Sequence, residues 1–209
     1  MHFFISYLWE NPRLFFSVSL IVVFSICCHE FMHAFVSLKM GDSTAADRGH
    51  LTLNPFKQMG VFSLLLMCLF GIAWGSVPAT PSLIADKHKR ALVYFSGPAT
   101  NLLLSQFFLL VCFICVKCGV GDSFAVNMLL HGGILNIVMF LLNMLPLQGL
   151  DGFGILSSYL PGFLKDSSEV MRGAYFIVIA LLFVFFNKLF QVAGVVAAAE
   201  LYFLQWLIQ

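Results

Sequence analysis

Charged side chains are scarce. They make up 10% of the 209 residues, against about 25% in a soluble domain. Neither sign is in excess: eleven Lys and Arg stand against ten Asp and Glu, for a formal net charge of +1. That excludes the basic surface a nucleic-acid binder needs. There is no hydrophilic stretch long enough for a separate soluble domain, no internal repeat and no low-complexity segment. The six cysteines form no disulfide framework, because all lie in or beside apolar runs, where Cys acts as a small hydrophobe. Cys115 and Cys118 have C-x-x-C spacing but no second ligand pair, so a metal knuckle is not expected. The start of the chain lacks a basic segment and a small-x-small site, so no cleaved signal peptide is expected.

What the chain has is apolar surface. Hydrophobic residues reach 60%, Phe alone counts 24, and the mean hydropathy is +0.95. A chain of this size cannot hide that much in one globular core. The expected fold is an all-α polytopic membrane protein. A membrane helix needs about 20 mostly apolar residues, and the candidate runs are 14–38, 59–77, 91–116, 125–145, 174–190 and 192–208. Asn187, Lys188 and Gln191 part the last two.

Basic residues orient the runs. With loops 39–58, 78–90 and 147–173 in the cytosol, eight of the eleven Lys and Arg face inward and only Arg13, Lys117 and Lys188 face outward. Both loops flanking 59–77 then lie on one side. This run, interrupted by Gly71 and Gly75, is predicted to enter the membrane and return. The reading gives about five transmembrane helices plus a re-entrant segment, with residues 1–160 as a core and 161–209 as a loop and helical hairpin of the same domain.

The chemistry lies in the first run, as His29-Glu30-Phe31-Met32-His33. Two His at i and i+4 share one helical face, one turn apart, where their ring nitrogens can converge on one zinc ion. Glu30 stands beside the open position and can act as base toward water. Three ionisable residues inside an apolar helix are costly and point to function. A catalytic zinc wants a third protein ligand, and the candidates are Asp151, Glu200, His131 and Glu169. Asp151 follows Pro146 and Gly149, which allow the chain to turn it inward. With 59–77 re-entrant, Asp151 reaches the same depth near the cytosolic face as His29 and His33. Were 59–77 a crossing, Asp151 would fall on the wrong side.

These residues resemble the site-2 protease family of intramembrane zinc metalloproteases, in a small prokaryotic-type form with the core only. His29-Glu30-x-x-His33 matches its zinc motif. Asn143-x-x-Pro146-x-x-x-x-Asp151-Gly152 matches its second motif. Gly97-Pro98-Ala99-Thr100-Asn101 matches a third feature, and Leu51-Thr52-Leu53-Asn54-Pro55 resembles the segment after the first motif in small members. The resemblance implies one Zn2+ per chain on His29, His33 and Asp151, with Glu30 as catalytic base and Asn143 near the substrate or reacting centre. It implies an endopeptidase for transmembrane or membrane-anchored protein substrates, in a lipid bilayer of a prokaryotic cell membrane, with no nucleic-acid partner.

Residues 49–54 alternate weakly between Gly49 and Pro55. They read as a short strand near the active site, with His50, Leu51, Thr52, Leu53 and Asn54 offering an edge to an extended substrate. Asn101 and Asn136 are candidates for hydrogen bonds between helices. His131, beside Gly132 and Gly133, reads as a packing residue, and Glu200 as a residue of the substrate path or the interface. Two other classes fit part of the pattern. A prenyl-protein-processing membrane metalloprotease would take its third ligand from Glu200 or Glu169. A metal-binding transporter or sensor would use His29 and His33 without needing Glu30.

Overall fold

Asn11 and Pro12 start the first long helix. Pro12 has no N–H to leave unpaired in the first turn, and the Asn11 side chain accepts from Leu14 N–H at 3.1 Å. The helix, α1, runs from Pro12 to Met40. In the computed structural model, which describes residues 3–121, 123–160 and 169–207 (side chains of 169–186 excepted), five further helices of nine residues or more follow, besides single helical turns. They are α2 (Gly60–Phe70), α3 (Lys87–Lys117), α4 (Phe124–Asn143), α5 (Asp151–Tyr159) and α6 (Glu169–Leu207). Asp86 caps α3 by accepting from His88 N–H at 2.7 Å and Lys89 N–H at 3.1 Å. The Lys89 and His88 amides hold its carboxyl below the usual carboxylate range.

Helix α3 is the hub. It packs on α1, α4, α5 and α6. Leu109 of α3, Ile137 and Val138 of α4, and Ala193 and Ala197 of α6 form one buried cluster. Among the described residues, four helical stretches are long and apolar enough to cross a membrane: Pro12–Met40, Lys87–Lys117, Phe124–Asn143 and Asn187–Leu207.

The run 59–77 is not among them. Helix α2 has 11 residues, about 16 Å at the helical rise, against a hydrocarbon core of about 30 Å. The chain then doubles back, so that Ser76 N–H donates to the Gln58 carbonyl at 3.0 Å. The Ser63 hydroxyl pins the return by donating to Trp74 C=O at 2.7 Å and accepting from Trp74 N–H at 2.9 Å. Cys27, Met59 and Met67 bury the hairpin against α1.

Two expectations are corrected. The stretch 174–208 is not two helices parted at 187–191, since α6 runs unbroken through those residues. Asn, Lys and Gln mark polarity but leave the helical hydrogen bonds intact, and no Pro intervenes. Among the described residues there is also no strand. Residues 50–54 form an irregular turn, because buried Gln58 donates its side-chain amide to the carbonyls of His50, at 2.9 Å, and Thr52, at 2.6 Å.

Candidate metal centre

The one-turn spacing on α1 brings the His29 and His33 rings together, with centroids 4.6 Å apart and planes at 79°. Both Nε2 atoms face the same point and lie 3.0 Å from each other. Asp151 comes from the other end of the chain. Helix α4 stops at Asn143, Gly149 takes a positive φ of 95°, and Asp151 opens α5. Its Oδ2 lies 3.0 Å from His29 Nε2 and its Oδ1 3.2 Å from His33 Nε2.

The other ring nitrogens decide what these atoms are. His33 Nδ1 stands 2.8 Å from the Val93 carbonyl, which can only accept, so Nδ1 carries the proton and Nε2 a lone pair. His29 Nδ1 stands 2.6 Å from Asn101 Oδ1, with the same consequence. Asp151 Oδ2 is buried and receives no hydrogen bond. Three acceptors therefore converge with no proton among them, an arrangement that repels itself unless a cation lies between them. The donor set, two neutral imidazoles and a carboxylate, suits zinc with one coordination position left over. The residues fit the metal.

Space at the centre is kept by a glycine. A Cβ on Gly97 of α3 would overlap Nε2 of both His29 and His33. The Gly97-Pro98 segment thus serves close packing, here directly against the two rings. Glu30 is buried beside them. Against it lies Gly75, in the returning limb of the hairpin, where a Cβ would overlap the Glu30 side chain. Trp74 and Ser76 direct backbone bonds toward α2 and Gln58, whereas the backbone of Gly75 between them enters no hydrogen bond among the described residues. In the sequence Gly75 is only an interruption of the apolar run, and its contact with Glu30 is not visible there. The signal was a glycine in an apolar segment with no helix end to explain it.

Most of the remaining candidates have hydrogen-bond partners of their own or are exposed. Asn143 turns its amide back to the Met139 carbonyl of its own helix, at 3.0 Å. Asn54 caps the helical turn Pro55–Gln58 by accepting from Phe56 N–H at 2.9 Å. Leu51 and Leu53 are exposed. His131 hydrogen-bonds the Asn127 carbonyl at 2.6 Å. Glu200 accepts from Gln106 at 2.9 Å on the surface between α3 and α6. The side chain of Glu169 lies outside the described residues. Asn101 and Asn136 make the expected interhelical bond, at 3.1 Å. The loop after α1 is tied down by Asp42, which is fully buried and accepts from Thr44 N–H at 2.9 Å and Thr80 N–H at 2.7 Å. Burial alone would raise the Asp42 carboxyl, but the hydrogen bonds from Thr44 and Thr80 hold it below the usual carboxylate range.

Membrane-type helices with a His-His-Asp centre and an adjacent glutamate define a multi-pass membrane protein of the metallohydrolase class. Known proteins narrow the class. The chain is 35% identical over 174 residues to "Putative zinc metalloprotease YwhC" of Bacillus subtilis, covering 80% of this chain and 78% of that one. It is 31% identical over 173 residues to "Putative zinc metalloprotease Rip2" of Mycolicibacterium smegmatis, covering 76% of this chain and 63% of the relative. To Rip2 of Mycobacterium tuberculosis it is 33% identical over 149 residues, 65% of this chain and 54% of the relative. The chain belongs to this family of zinc metalloproteases, of site-2 protease type. No protein-family model and no solved structure matches it.

Proposed function

We propose that the protein is a zinc-dependent endopeptidase that cuts membrane proteins in or beside their transmembrane segments, from a site near the cytosolic face. One observation carries the reading. The His29, His33 and Asp151 centre, with Glu30, sits inside the helix bundle, about two turns from the end of α1, and not on a soluble domain. The hairpin of α2, too short to cross, supports the topology in which that end of α1 and the start of α3 share one side. The basic residues of the loops make that side the cytosol. Four crossings return the end of α6 to the side on which α1 starts.

His29, His33 and Asp151 hold the zinc. Bound there, zinc supplies Lewis acidity to a peptide carbonyl and to water. Glu30 takes the proton of the attacking water and delivers it to the leaving amine. Gly97 leaves room at the two rings. A substrate helix has its carbonyls bonded internally, so it must unwind before attack. The unwound backbone then needs partners, and the unbonded backbone at Gly75, against Glu30, offers them by main-chain pairing. Residues 50–54 are less suited, since Gln58 holds two of their carbonyls. Asn143 stands at the end of α4, and its bond to the Met139 carbonyl uses one N–H, which leaves Oδ1 and the second N–H for the substrate backbone.

The test is cleavage of a single-span substrate, with Gly or Pro near the cytosolic end of its span, by the purified protein in lipid vesicles. Glu30→Gln should retain about one zinc per chain and lose turnover by roughly 100- to 10,000-fold, the worth of a general base. Near-normal cleavage by that variant would remove Glu30 from the mechanism. A protein that binds zinc but cuts no membrane substrate would favour a transporter or sensor.

A further inference from the structure

The two histidines reach the same tautomer by different routes. His33 is set locally, by the Val93 carbonyl of α3. His29 faces a side-chain amide, Asn101, and an amide presents either its oxygen or its nitrogen. Something must choose which end faces the ring.

The choice is made on α4. The Gly132 carbonyl can only accept a hydrogen bond, and Asn136 Nδ2 lies 2.9 Å from it and 2.9 Å from Ser25 Oγ. That directs Asn136 Oδ1 toward Asn101. The atom facing it at 3.1 Å is Asn101 Nδ2, so Asn101 Oδ1 points to His29. Reversing Asn136 would set its oxygen against the Gly132 carbonyl. Reversing Asn101 would let its nitrogen donate to an unprotonated His29 Nδ1, but would set its oxygen against Asn136 Oδ1. Ser25, Asn101 and Asn136 are all fully buried, so no water replaces a lost partner.

We propose that Asn136 is a positioning residue for the metal centre: acting through Asn101, it fixes His29 with its proton on Nδ1 and its Nε2 lone pair toward His33 and Asp151. The ring of contacts starts and ends on α1, one turn apart at Ser25 and His29, and passes through α4 and α3. Seating α4 against α3 is thereby linked to the readiness of His29 to bind metal. The inference rests on the metal reading of the site, and the test keeps the two apart.

Two measurements serve. The first is the imidazole 15N spectrum of the metal-free protein in micelles, with the His29 signals assigned by comparison with His29→Gln. In the unsubstituted chain, above the pH at which the metal-free centre takes up a proton, His29 should show protonated Nδ1 and unprotonated Nε2. In Asn136→Leu the two forms should mix. The second is zinc affinity by competition with a chelator. Asn136→Leu should weaken binding by about 10- to 100-fold, the usual worth of a group that orients a ligand. In an Asn101→Leu background the same change should cost nothing more. Ser25→Ala keeps the Gly132 bond and should leave both readouts within about twofold of the starting protein. If Asn136→Leu does not fold, Asn136→Ala carries the same comparison. An unchanged His29 spectrum, or additive losses in the double variant, would overturn the proposal. A chain with the expected spectrum that binds no zinc would overturn the metal reading instead.

Discussion

Gly75 lies so close to Glu30 that a single methyl group on its Cα would overlap the carboxylate side chain. The proposed base therefore has bare backbone packed directly against its side chain. The hairpin is more than a plug in the bilayer, since its returning limb defines how much room a substrate has at Glu30.

Substitution at Gly75 follows directly. Gly75→Ala should push the limb off Glu30, and Gly75→Val more so. Cleavage should fall at least tenfold while zinc content stays near one per chain, because the metal ligands are not touched. Metal analysis alongside a cleavage assay checks this. Loss of zinc in Gly75→Ala would mean that the limb supports the metal centre itself.

The third ligand can be tested by contrast. Asp151→Ala should abolish tight zinc binding, because it leaves two ligands where a catalytic site uses three. Glu200→Ala should leave zinc unchanged, since Glu200 bonds Gln106 on the bundle surface. Equilibrium dialysis of both variants decides between this centre and one of the prenyl-protein-processing type.

Asp42 predicts an acid limb of stability. Its folded-state carboxyl is held below the usual range, so its contribution is complete above the unfolded value of about 3.9. It is lost as pH falls through the lower folded value. Asp42→Asn should cost about 1.5–3 kcal/mol at neutral pH, as hydrogen bonds to a charged group do. The gap to the unsubstituted protein should close progressively below about pH 4. Thermal melts in detergent across pH 3–7, a range set about the reference carboxyl value, measure it. A gap independent of pH would assign the effect to packing.

Topology has its own reporter. Ser82 is exposed between the hairpin and α3. A cysteine there, in a variant lacking the native six, should react only with reagents that enter the cell. Labelling from outside intact cells would show that 59–77 crosses, and the cytosolic placement of the site would fail with it.

The convergence of His29, His33 and Asp151 was legible because its determinants are short. One helical turn relates His29 to His33, and counting membrane crossings brings Asp151 to their level. The return of 59–77 was legible from basic residues on both flanks. The strand at 50–54 was not, because its fate depends on Gln58, a residue outside the alternating window whose side chain takes the carbonyls a strand would share. The supposed break at 187–191 failed because polarity in a sequence marks surroundings, whereas a helix ends only where its backbone bonds are denied. Gly75 and Gly97 carry no side chain to advertise chemistry, and their importance lies in what their absence of a Cβ lets approach.

Asp151 follows His33 by more than half of the chain. During synthesis, the histidines therefore enter the membrane long before their third partner has been made. A nascent chain holds an incomplete centre through the insertion of α1, the hairpin, α3 and α4. Only when α5 docks does the group of His29, His33 and Asp151 close. The order of residues along the polypeptide makes the centre the last part of the core to be completed.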